Sequence, residues 1–422
     1  MEQPLQGWDL ATWRVTQSQS GLAANVVATV EVAGIIDPNL IAERVENLIS
    51  IYPSLAMAVS DTEPAHLYPI LDFASKKYIS VSQGSVGRAA SRLANLKIGP
   101  NECLWRIELI FSNKKTYILC AINHTIADGN TAMQLMKYLF DNPTGTIFEF
   151  KTKKENDDFV NNLKTAASEL VGRLTKDPVG LAKDISDLTQ SVSRLIGVNK
   201  VGKEIASTKD LQACFYKIDS RQIANLTQGN QISSHDVMVA LIVGAIARFN
   251  VAKSIDKETL LINIPVAMNI NDASANKILV ARLEFPAKNV DATYLMALSR
   301  ENLRKWRQEP GLKIVNSLIS ASQFLPIDLI VRSLRASDAT VSTLVGQSHS
   351  SRLFGFEVKG VWPLLAPVGA GLNCTCVITN GYLHIGICID PNVISEFDVW
   401  QRAFQSSADE VFGQELFEQI FE

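Results

Sequence analysis

The chain has 422 residues, of which 47% are hydrophobic and 20% are charged, and its formal net charge at pH 7 is -3. This composition is typical of a packed globular protein and excludes a chain that is disordered throughout. The small net charge, and the lack of a basic stripe alternating with aromatic residues, give no basis for nucleic-acid binding. A chain of this length has room for two domains or one large domain.

The first segments of the chain predict a strand, a helix and a hairpin. A β-type run covers Leu22–Val32, and an amphipathic helical pattern begins at Asp37 and ends before Pro53. Farther along, Trp105–Phe111 and Thr116–Ile122 are two strand-like runs joined by a short polar turn. This arrangement is typical of a β-hairpin.

The character of the sequence changes between Pro143 and Lys209. Lys151–Asp158 is densely charged, and Phe159–Ile196 has a helical pattern with polar residues on its outer face. We interpret this stretch as a crossover between two halves of the chain. We place the domain boundary between residues 205 and 206, which gives an N-terminal domain of residues 1–205 and a C-terminal domain of residues 206–422.

The second half mixes helices and strands without the regular alternation of a doubly wound fold. The apolar stretch Val237–Ala247 is too short for a bilayer, which needs about 20 residues, so we predict a buried helix there. A further helix is predicted at Ala292–Arg307 and a closing helix at Glu396–Phe417. The predicted strands are Leu211–Ile218, Leu260–Val266, Lys277–Phe285, Ala339–Leu344, Phe354–Val361, Cys374–Thr379 and Tyr382–Ile389. These elements favour an α/β fold of the α+β kind, with mixed sheets in each half.

The best candidate for chemistry is His124, at the end of the second hairpin strand. Burial at that point disfavours the imidazolium form and keeps a neutral base available near pH 7. Asp128 follows four residues later, placed to accept a hydrogen bond from the ring or to brace the turn. Gly129 permits an unusual backbone conformation where the strand gives way to a helix.

The other histidines and the cysteines have simpler interpretations. His235 is expected to cap a helix, His384 to pack in or on a hairpin strand, and His349 to lie in a solvated loop. His66 gives no signal. The six cysteines do not have the spacing of a metal site, and we expect buried thiols in a reducing compartment.

A general base without a covalent nucleophile, metal or nucleotide loop favours direct group transfer. The sequence has no G-x-S-x-G elbow, P-loop, dinucleotide-binding motif or H-E-x-x-H motif. Such a base removes a proton from a hydroxyl or amine, which then attacks an activated carbonyl. A thioester is the natural activated acyl donor.

Several motifs along the chain resemble one enzyme superfamily. The run Asn123–Gly129 (NHTIADG) is similar to an H-H-x-x-x-D-G motif, and Ser234–Val237 is similar to an Asn-Asp-Val helix start. Further similarity lies in the segments Cys103–Trp105, Ile264–Asn269, Phe354–Val358, Trp362–Leu364, Gly371–Asn373 and Asn380–Gly386. The chain thus resembles the chloramphenicol-acetyltransferase-like superfamily, which includes condensation domains. Within it, the resemblance is strongest to bacterial wax ester synthase/diacylglycerol acyltransferases and polyketide-associated acyltransferases.

The resemblance implies two chloramphenicol-acetyltransferase-like domains joined by a crossover, with a central active-site tunnel. It also implies that His124 is the general base and that Asp128 is a structural residue paired with an arginine. Asn269 stands where that arginine is expected, so Asp128 either lacks its usual partner or uses another, such as Arg282. Asn123 replaces the first motif histidine, and Ser342 and Thr343 stand where the wax ester synthase group often has Ser-Asn.

We therefore expect an acyltransferase that moves an acyl group from a thioester to a hydroxyl or an amine. The donor is acyl-CoA or an acyl carrier protein, used as a substrate rather than as a resident cofactor, and no metal is expected. Ser342, Thr343 and Asn373 are candidates for substrate and oxyanion binding. The alternatives are a condensation-like cyclase or ligase acting on a carrier-bound intermediate, and a non-catalytic lipid-binding relative.

The location expected from the sequence is cytoplasmic, with association with lipid or a membrane surface as an alternative. The first residues, Met1–Pro4, do not have the basic and then apolar pattern of a signal peptide. The product is expected to be an ester of lipid or secondary metabolism.

Overall fold

The computed structural model describes residues 2–5, 7–18, 22–141, 211–229, 231–267, 278–288, 291–308, 326–344, 346, 351–413 and 418–419. Helices and strands are numbered in chain order over these residues. The predicted crossover and the boundary between residues 205 and 206 lie outside them, as do Asn269 and His349.

The first half of the chain contains four helices and seven strands within the described residues. The predicted strand, capped helix and hairpin are confirmed, with the first strand beginning at Asn25 rather than Leu22. The helices are α1 (Gly7–Gln17), α2 (Pro38–Ile49), α3 (Val86–Ala94) and α4 (Gly129–Leu139). The strands are β1 (Gln3–Pro4), β2 (Asn25–Val32), β3 (Met57–Val59), β4 (His66–Pro69), β5 (Ile79–Ser82), β6 (Trp105–Ser112) and β7 (Lys115–Asn123).

The second half contributes five helices and nine strands within the described residues. The helices are α5 (Ser220–Thr227), α6 (Ser234–Ala252), α7 (Ala292–Gln308), α8 (Ile327–Leu334) and α9 (Phe397–Phe412). The strands are β8 (Gln212–Asp219), β9 (Thr259–Ala267), β10 (Ile278–Pro286), β11 (Ala339–Leu344), β12 (Arg352–Leu353), β13 (Phe356–Leu365), β14 (Leu372–Thr379), β15 (Tyr382–Ile389) and β16 (Glu418–Gln419).

The described strands form two large mixed sheets and a small one, which confirms the predicted α/β fold with mixed sheets. The first large sheet has the order β12-β13-β2-β7-β6-β5, and the second has the order β10-β9-β11-β14-β15-β8-β16. A three-stranded sheet, β1-β4-β3, belongs to the first half. In the second sheet, β11 runs parallel to both β9 and β14, whereas β14 and β15 form an antiparallel hairpin.

Strand β2 lies in the centre of the first sheet, and all eight of its residues are buried. Its alternate side chains enter two different apolar clusters: Val26 and Val30 pack with residues of α2 and α4, and Val27 packs with residues of α3. A strand covered on both faces needs apolar residues at nearly every position, which explains its near-continuous apolar sequence.

The two halves are joined by side-chain packing and by β13, a strand of the second half that belongs to the first sheet. β13 pairs with β2 of the first half, with Val361 opposite Val30. The cluster on α3 also includes Phe215 and Cys388 of the second half, and the Trp362 indole N–H donates to the Tyr216 carbonyl oxygen at 3.0 Å. The halves therefore contribute side chains to a shared apolar cluster.

Helix α6 is the buried helix that the sequence predicts. By length and composition alone it could cross a membrane, but 78% of its most apolar window is buried inside the protein. It packs against the second sheet, α7 and α9. A core helix covered on all sides is apolar all round, so its composition is explained without a membrane.

Candidate active site

His124 lies in the short turn that joins β7 to α4. Its backbone N–H donates to the Ala24 carbonyl oxygen at 2.7 Å, one residue before β2 begins. Asn25 lies opposite Asn123 in the β2–β7 pair. The sheet therefore fixes the backbone of His124 before any side chain contributes, in the strand–turn–helix context that the sequence predicts.

Two buried asparagines, Asn25 and Asn123, hold this turn through hydrogen bonds. The Asn123 Oδ1 accepts a hydrogen bond from the Thr125 backbone N–H at 3.0 Å, and its Nδ2 donates to the Asn25 Oδ1 at 3.1 Å. Asn25 in turn donates to the carbonyl oxygens of Leu93 at 3.0 Å and Leu96 at 2.6 Å, at the end of α3. A chain of hydrogen bonds thus runs from α3 to the residue after His124.

The sequence analysis missed Asn25, although its position contained a signal. It is the polar residue in the apolar run Leu22–Val27, and it is 0% exposed in the structure. A buried amide needs several hydrogen-bond partners, so such a residue in a strand indicates a specific polar contact.

Tyr52 fixes the turn on its other side. Its hydroxyl donates to the Ile126 carbonyl oxygen at 2.5 Å. Burial raises the pKa of the Tyr52 phenol far above its usual value, and the nearby charges of Asp9 and Asp128 act in the same direction. The phenol therefore remains protonated and serves as a donor. The buried Thr125 hydroxyl, by contrast, has no hydrogen-bond partner among the described residues.

The surroundings of His124 favour the neutral imidazole. The side chain is half-buried, and burial lowers the pKa of His124, while the Asp128 charge and a hydrogen bond to its own backbone carbonyl oppose the shift. Within one residue, only Nδ1 reaches the carbonyl, so this bond places the proton on Nδ1. The second ring nitrogen then carries the lone pair that a general base needs.

Asp128 is the N-cap of α4. Its Oδ1 accepts a hydrogen bond from the Thr131 backbone N–H at 2.7 Å, and the residue is 8% exposed. Burial raises the pKa of Asp128, while the Thr131 N–H and His124 oppose the shift. The carboxylate thus braces the start of α4, and its negative charge lies near His124.

Arg282 is not the partner of Asp128. Its Nε donates to the Asn263 Oδ1 at 3.0 Å, and its Nη2 donates to the Ser333 carbonyl oxygen at 2.7 Å. Among the described residues, no ion pair includes Asp128. The suggestion based on the sequence was wrong because β10 presents Arg282 to β9 and α8 rather than to the turn.

Gly129 is required for a close approach rather than for an unusual backbone conformation. It is not among the glycines with positive φ, and it is the first residue of α4. A Cβ atom at this position would lie 2.9 Å from the Leu344 Cδ2 on β11. The start of α4 therefore meets the end of β11, and the His124 turn lies beside the second half of the chain.

Ser342 and Asn373 lie on the same face of the second sheet. Ser342 is opposite Thr375 in the β11–β14 pair, and the Thr375 hydroxyl donates to the Asn373 Oδ1 at 2.7 Å. Leu344 is two residues from Ser342 on the same strand, so it shares this face. Since Leu344 meets Gly129, this face leads to the His124 turn.

Thr343 lies on the opposite face, so the predicted group of three substrate-binding candidates is divided. Its hydroxyl is 3.2 Å from the His235 Nδ1 and 3.5 Å from the Cys376 Sγ, in the core beneath α6. Consecutive strand residues point to opposite faces. Ser342 and Thr343 therefore cannot both contact a ligand on the face that leads to His124.

His235 is not a helix cap, contrary to the prediction. Ser233 is the N-cap of α6 and forms a capping box with Asp236. His235 is the second residue of the helix, and its ring is directed toward Thr343. Burial lowers the pKa of His235, which favours a neutral, structural side chain.

His384 is a packing residue, which was one of its two predicted roles. It meets the Trp362 ring edge to face with 4.6 Å between centroids, and its Nδ1 is 3.0 Å from the Thr379 hydroxyl oxygen. Burial and the charge of Lys217 lower the pKa of His384 to about 3. His66 lies in the small sheet, with its Nδ1 3.0 Å from the Ser60 hydroxyl oxygen.

The described residues contain no group of three or more His, Cys, Asp or Glu side chains that could hold a metal ion. All six cysteines are described, and each is a buried free thiol. Burial raises the pKa of the Cys103 thiol to about 11 and that of Cys376 to about 12. The thiolate forms are therefore disfavoured at neutral pH.

Comparisons with known proteins agree with this arrangement. Residues 275–411 match the WS/DGAT C-terminal domain. A Mycobacterium tuberculosis protein named as a candidate diacylglycerol O-acyltransferase is 21% identical over 346 residues, which cover 74% of this chain and 69% of that protein.

Solved structures show the same fold at low sequence identity. The wax ester synthase/diacylglycerol acyltransferase from Marinobacter aquaeolei VT8 has a TM-score of 0.63 and 12% identity, covering 97% of this chain and 98% of that one. Trichothecene 15-O-acetyltransferase from Fusarium sporotrichioides has a TM-score of 0.66 and 12% identity, covering 98% and 95%. A starter condensation domain of rhizomide synthetase, in complex with C8-CoA, has a TM-score of 0.60 and 12% identity, covering 99% and 98%.

These similarities confirm the resemblance predicted from the motifs, and they agree with acyl transfer as the activity. The matched domain includes β11 and β14, which carry Ser342 and Asn373 opposite the His124 turn. Residues 275–411 are similar to the WS/DGAT C-terminal domain, and over nearly its whole length the chain has the fold of the wax ester synthase/diacylglycerol acyltransferase and of the trichothecene acetyltransferase.

Proposed function

We propose that the protein is an O-acyltransferase in which His124 is the general base. The observation that carries this proposal is the setting of His124. It is a half-buried histidine whose surroundings favour the neutral form, in a turn held by buried hydrogen bonds, beside the face of the WS/DGAT C-terminal domain that carries Ser342. A base of this kind is matched to proton transfer near neutral pH.

In the proposed reaction, His124 takes the proton from an acceptor hydroxyl as its oxygen attacks the carbonyl carbon of an acyl thioester. The new carbon–oxygen bond forms, and the carbonyl oxygen gains negative charge. Collapse of this intermediate breaks the carbon–sulfur bond, and the departing sulfur takes the proton from His124. The products are an ester and a thiol, and His124 is neutral again.

Asp128 and Ser342 have supporting roles in this proposal. The Asp128 carboxylate lies near His124 and favours the imidazolium that forms during the reaction. Ser342 is the candidate donor to the oxyanion, since it lies on the face that leads to the His124 turn. Asn373 lies on the same face and is the second candidate, whereas the proposal leaves out Thr343 because it lies on the other face.

The donor is proposed to be a thioester of coenzyme A or of a carrier protein, and the acceptor an alcohol or, as an alternative, an amine. The relatives named above as acyltransferases and the condensation domain bound to C8-CoA support an acyl thioester as donor. Contact with lipid or a membrane surface is part of the proposal because the similar proteins are named for diacylglycerol and wax ester, which are both lipids.

The test is a mass-spectrometric search for esters and amides formed by the full chain from a panel of acyl-CoA donors and alcohol or amine acceptors. We expect ester formation together with release of free thiol. His124→Ala should lower kcat by roughly 10²- to 10⁴-fold without changing the melting temperature. His66→Ala is the matched control, since His66 is also partly exposed and is bound to Ser60 in the small sheet.

Three other outcomes would contradict the proposal. Full activity of His124→Ala would exclude His124 as the base. Turnover restricted to carrier-bound intermediates would favour a condensation-like cyclase or ligase. Binding of lipid without turnover across the whole panel would favour a non-catalytic relative.

A further inference from the structure

The second sheet has two chemically different faces. One is apolar and packs against α6, α7 and α9. On the other face, polar side chains occupy neighbouring positions on four strands: Arg282 is opposite Asn263, Asn263 is opposite Thr340, and Thr340 is opposite Asn373. Ser342 and Thr375 form a second pair nearer the His124 turn. We call this surface the polar floor, and it consists of Arg282, Asn263, Thr340, Asn373, Ser342 and Thr375.

Four members of the polar floor form two hydrogen-bonded pairs. Arg282 donates to the Asn263 Oδ1 at 3.0 Å, and Thr375 donates to the Asn373 Oδ1 at 2.7 Å. The Asn263 Nδ2 also donates to the Ser337 hydroxyl oxygen at 2.6 Å. All four are buried, so their side chains are held in fixed positions on the sheet.

The two hydroxyls on β11 differ from these four. Thr340 and Ser342 are half-buried, and within the part of the chain that the structure describes neither hydroxyl forms a hydrogen bond. Part of the surface of each residue is exposed, so neither side chain is fully covered by the described residues. Each hydroxyl can give one hydrogen bond and accept two, and residues two apart in a strand are separated by roughly 7 Å.

Thr340 and Ser342 lie along β11 in the direction of the His124 turn. Leu344 continues the same face, two residues beyond Ser342, and meets Gly129 at the start of α4. A molecule that lies along β11 would therefore pass Thr340 and then Ser342 before it reaches the His124 turn.

The hydroxyls of Thr340 and Ser342 determine which kind of substrate segment can bind on this face. An alkyl chain placed over Thr340 and Ser342 would remove two hydroxyls from water without replacing their hydrogen bonds, which is unfavourable. An apolar cavity between α2, α4 and the β6–β7 hairpin has a volume of about 30 Å³ and is too small for an alkyl chain. A substrate segment with its own amide or hydroxyl groups would instead satisfy both hydroxyls.

We propose that the polar floor binds a hydrogen-bonding segment of a substrate, bearing amide or hydroxyl groups, next to the carbonyl that is attacked. This inference rests on the proposed acyl transfer at His124. The segment belongs either to the thioester donor, as an amide-bearing arm, or to the acceptor, as a polyhydroxylated alcohol. The alkyl part of either substrate lies away from β11.

Thr340→Val is the main test, because it removes the hydroxyl, keeps the shape of the side chain and lies farther than Ser342 from the His124 turn. Thr343→Val is the matched control, on the same strand but on the opposite face. Rates are measured with octanoyl-CoA, octanoyl-N-acetylcysteamine and S-ethyl thiooctanoate as donors, and with hexan-1-ol and hexane-1,2,6-triol as acceptors.

Thr340→Val should raise KM about three- to tenfold for the substrate that carries the hydrogen-bonding segment. A higher KM for the amide-bearing donors but not for S-ethyl thiooctanoate assigns the floor to the donor. A higher KM for the triol but not for hexan-1-ol assigns it to the acceptor. Thr343→Val should leave every KM unchanged.

Unchanged KM values for all five substrates in Thr340→Val, or equal increases for polar and apolar substrates, would overturn the inference. If the wild-type protein shows no turnover, the proposed function fails separately. The floor is then tested by calorimetric titration with coenzyme A and with hexane-1,2,6-triol. A Kd for each that is the same in the wild type and in Thr340→Val would overturn the inference.

Discussion

The turn between β7 and α4 and the strand β11 meet at Gly129 and Leu344, but they differ in how their polar groups are satisfied. In the turn, Asn123, Tyr52 and Asp128 each make a hydrogen bond that fixes the backbone around His124. On the face of β11 that leads to this turn, the hydroxyls of Thr340 and Ser342 have no partner among the described residues.

This difference separates two requirements of a catalytic site. A base must be held still, since a small displacement from the reacting atom is costly in rate. A surface that receives a ligand must keep hydrogen-bonding capacity until the ligand arrives. The first half of the chain holds the base in place with the buried amides of Asn25 and Asn123. The second half provides the hydroxyls of Thr340 and Ser342, which have no hydrogen-bond partner among the described residues.

The largest effect is expected from protonation of the base in the turn. Burial lowers the pKa of His124 below its usual value of 6.5, so the neutral form predominates at and above pH 6.5. As the pH falls through the lowered pKa, kcat/KM should fall about tenfold per pH unit. A pH–rate profile measured from pH 4 to 9 checks this, and the residual rate of His124→Ala should lack the acid limb. An acid limb centred above pH 6.5 would contradict the assignment.

A second change breaks the support of the turn without touching His124. Asn25→Ala removes the link between Asn123 and the end of α3, and kcat should drop about 10- to 100-fold because His124 is no longer held in place. Thr116→Val is the control: its hydroxyl binds Gly34 and Ile36 at the other end of the same strand pair.

Each of these two variants should lose about 1–3 kcal/mol of unfolding free energy, measured by denaturant titration. The kinetic effect should appear only in Asn25→Ala. Equal losses of kcat in both variants would show that general stability, rather than the position of His124, determines the rate.

The smallest effect is expected where the two regions meet. Gly129→Ala places a Cβ atom 2.9 Å from the Leu344 Cδ2, the end of a flexible side chain that can shift by a few tenths of an ångström. We expect a severalfold lower kcat and a loss of about 1 kcal/mol in stability. Adding Leu344→Ala should restore part of the rate, so that the two substitutions are not additive. Strict additivity would show that the contact does not position the turn.

Much of the fold could be predicted from local sequence signals. The capped helix α2, the β6–β7 hairpin, and the strand, turn and helix around His124 all depend on residues close together in the chain. The Asn113-Lys114 turn illustrates this: both residues have positive φ, at 48° and 64°, as a tight hairpin requires.

The features that could not be predicted depend on contacts between distant residues. Asn25 and Asn123 are 98 positions apart, and their contact follows from the register of two strands. The reason for Gly129 is a side chain on β11. The motif showed that Ser342 and Thr343 were candidates, but only the sheet shows which of these consecutive residues faces the His124 turn.

The position of β13 in the first sheet has a consequence for the timing of biosynthesis. Residues 356–365 occupy the position beside β2, so that until they are made β2 has an unpaired edge. At a synthesis rate of about 5–20 residues per second, the ribosome needs roughly 17–67 seconds to travel from residue 32 to residue 365. During that interval a nascent chain that already contains His124 cannot complete its first sheet. A fragment that ends before residue 356 should therefore be prone to aggregation, and a site that lies between the two halves can be assembled only late in synthesis.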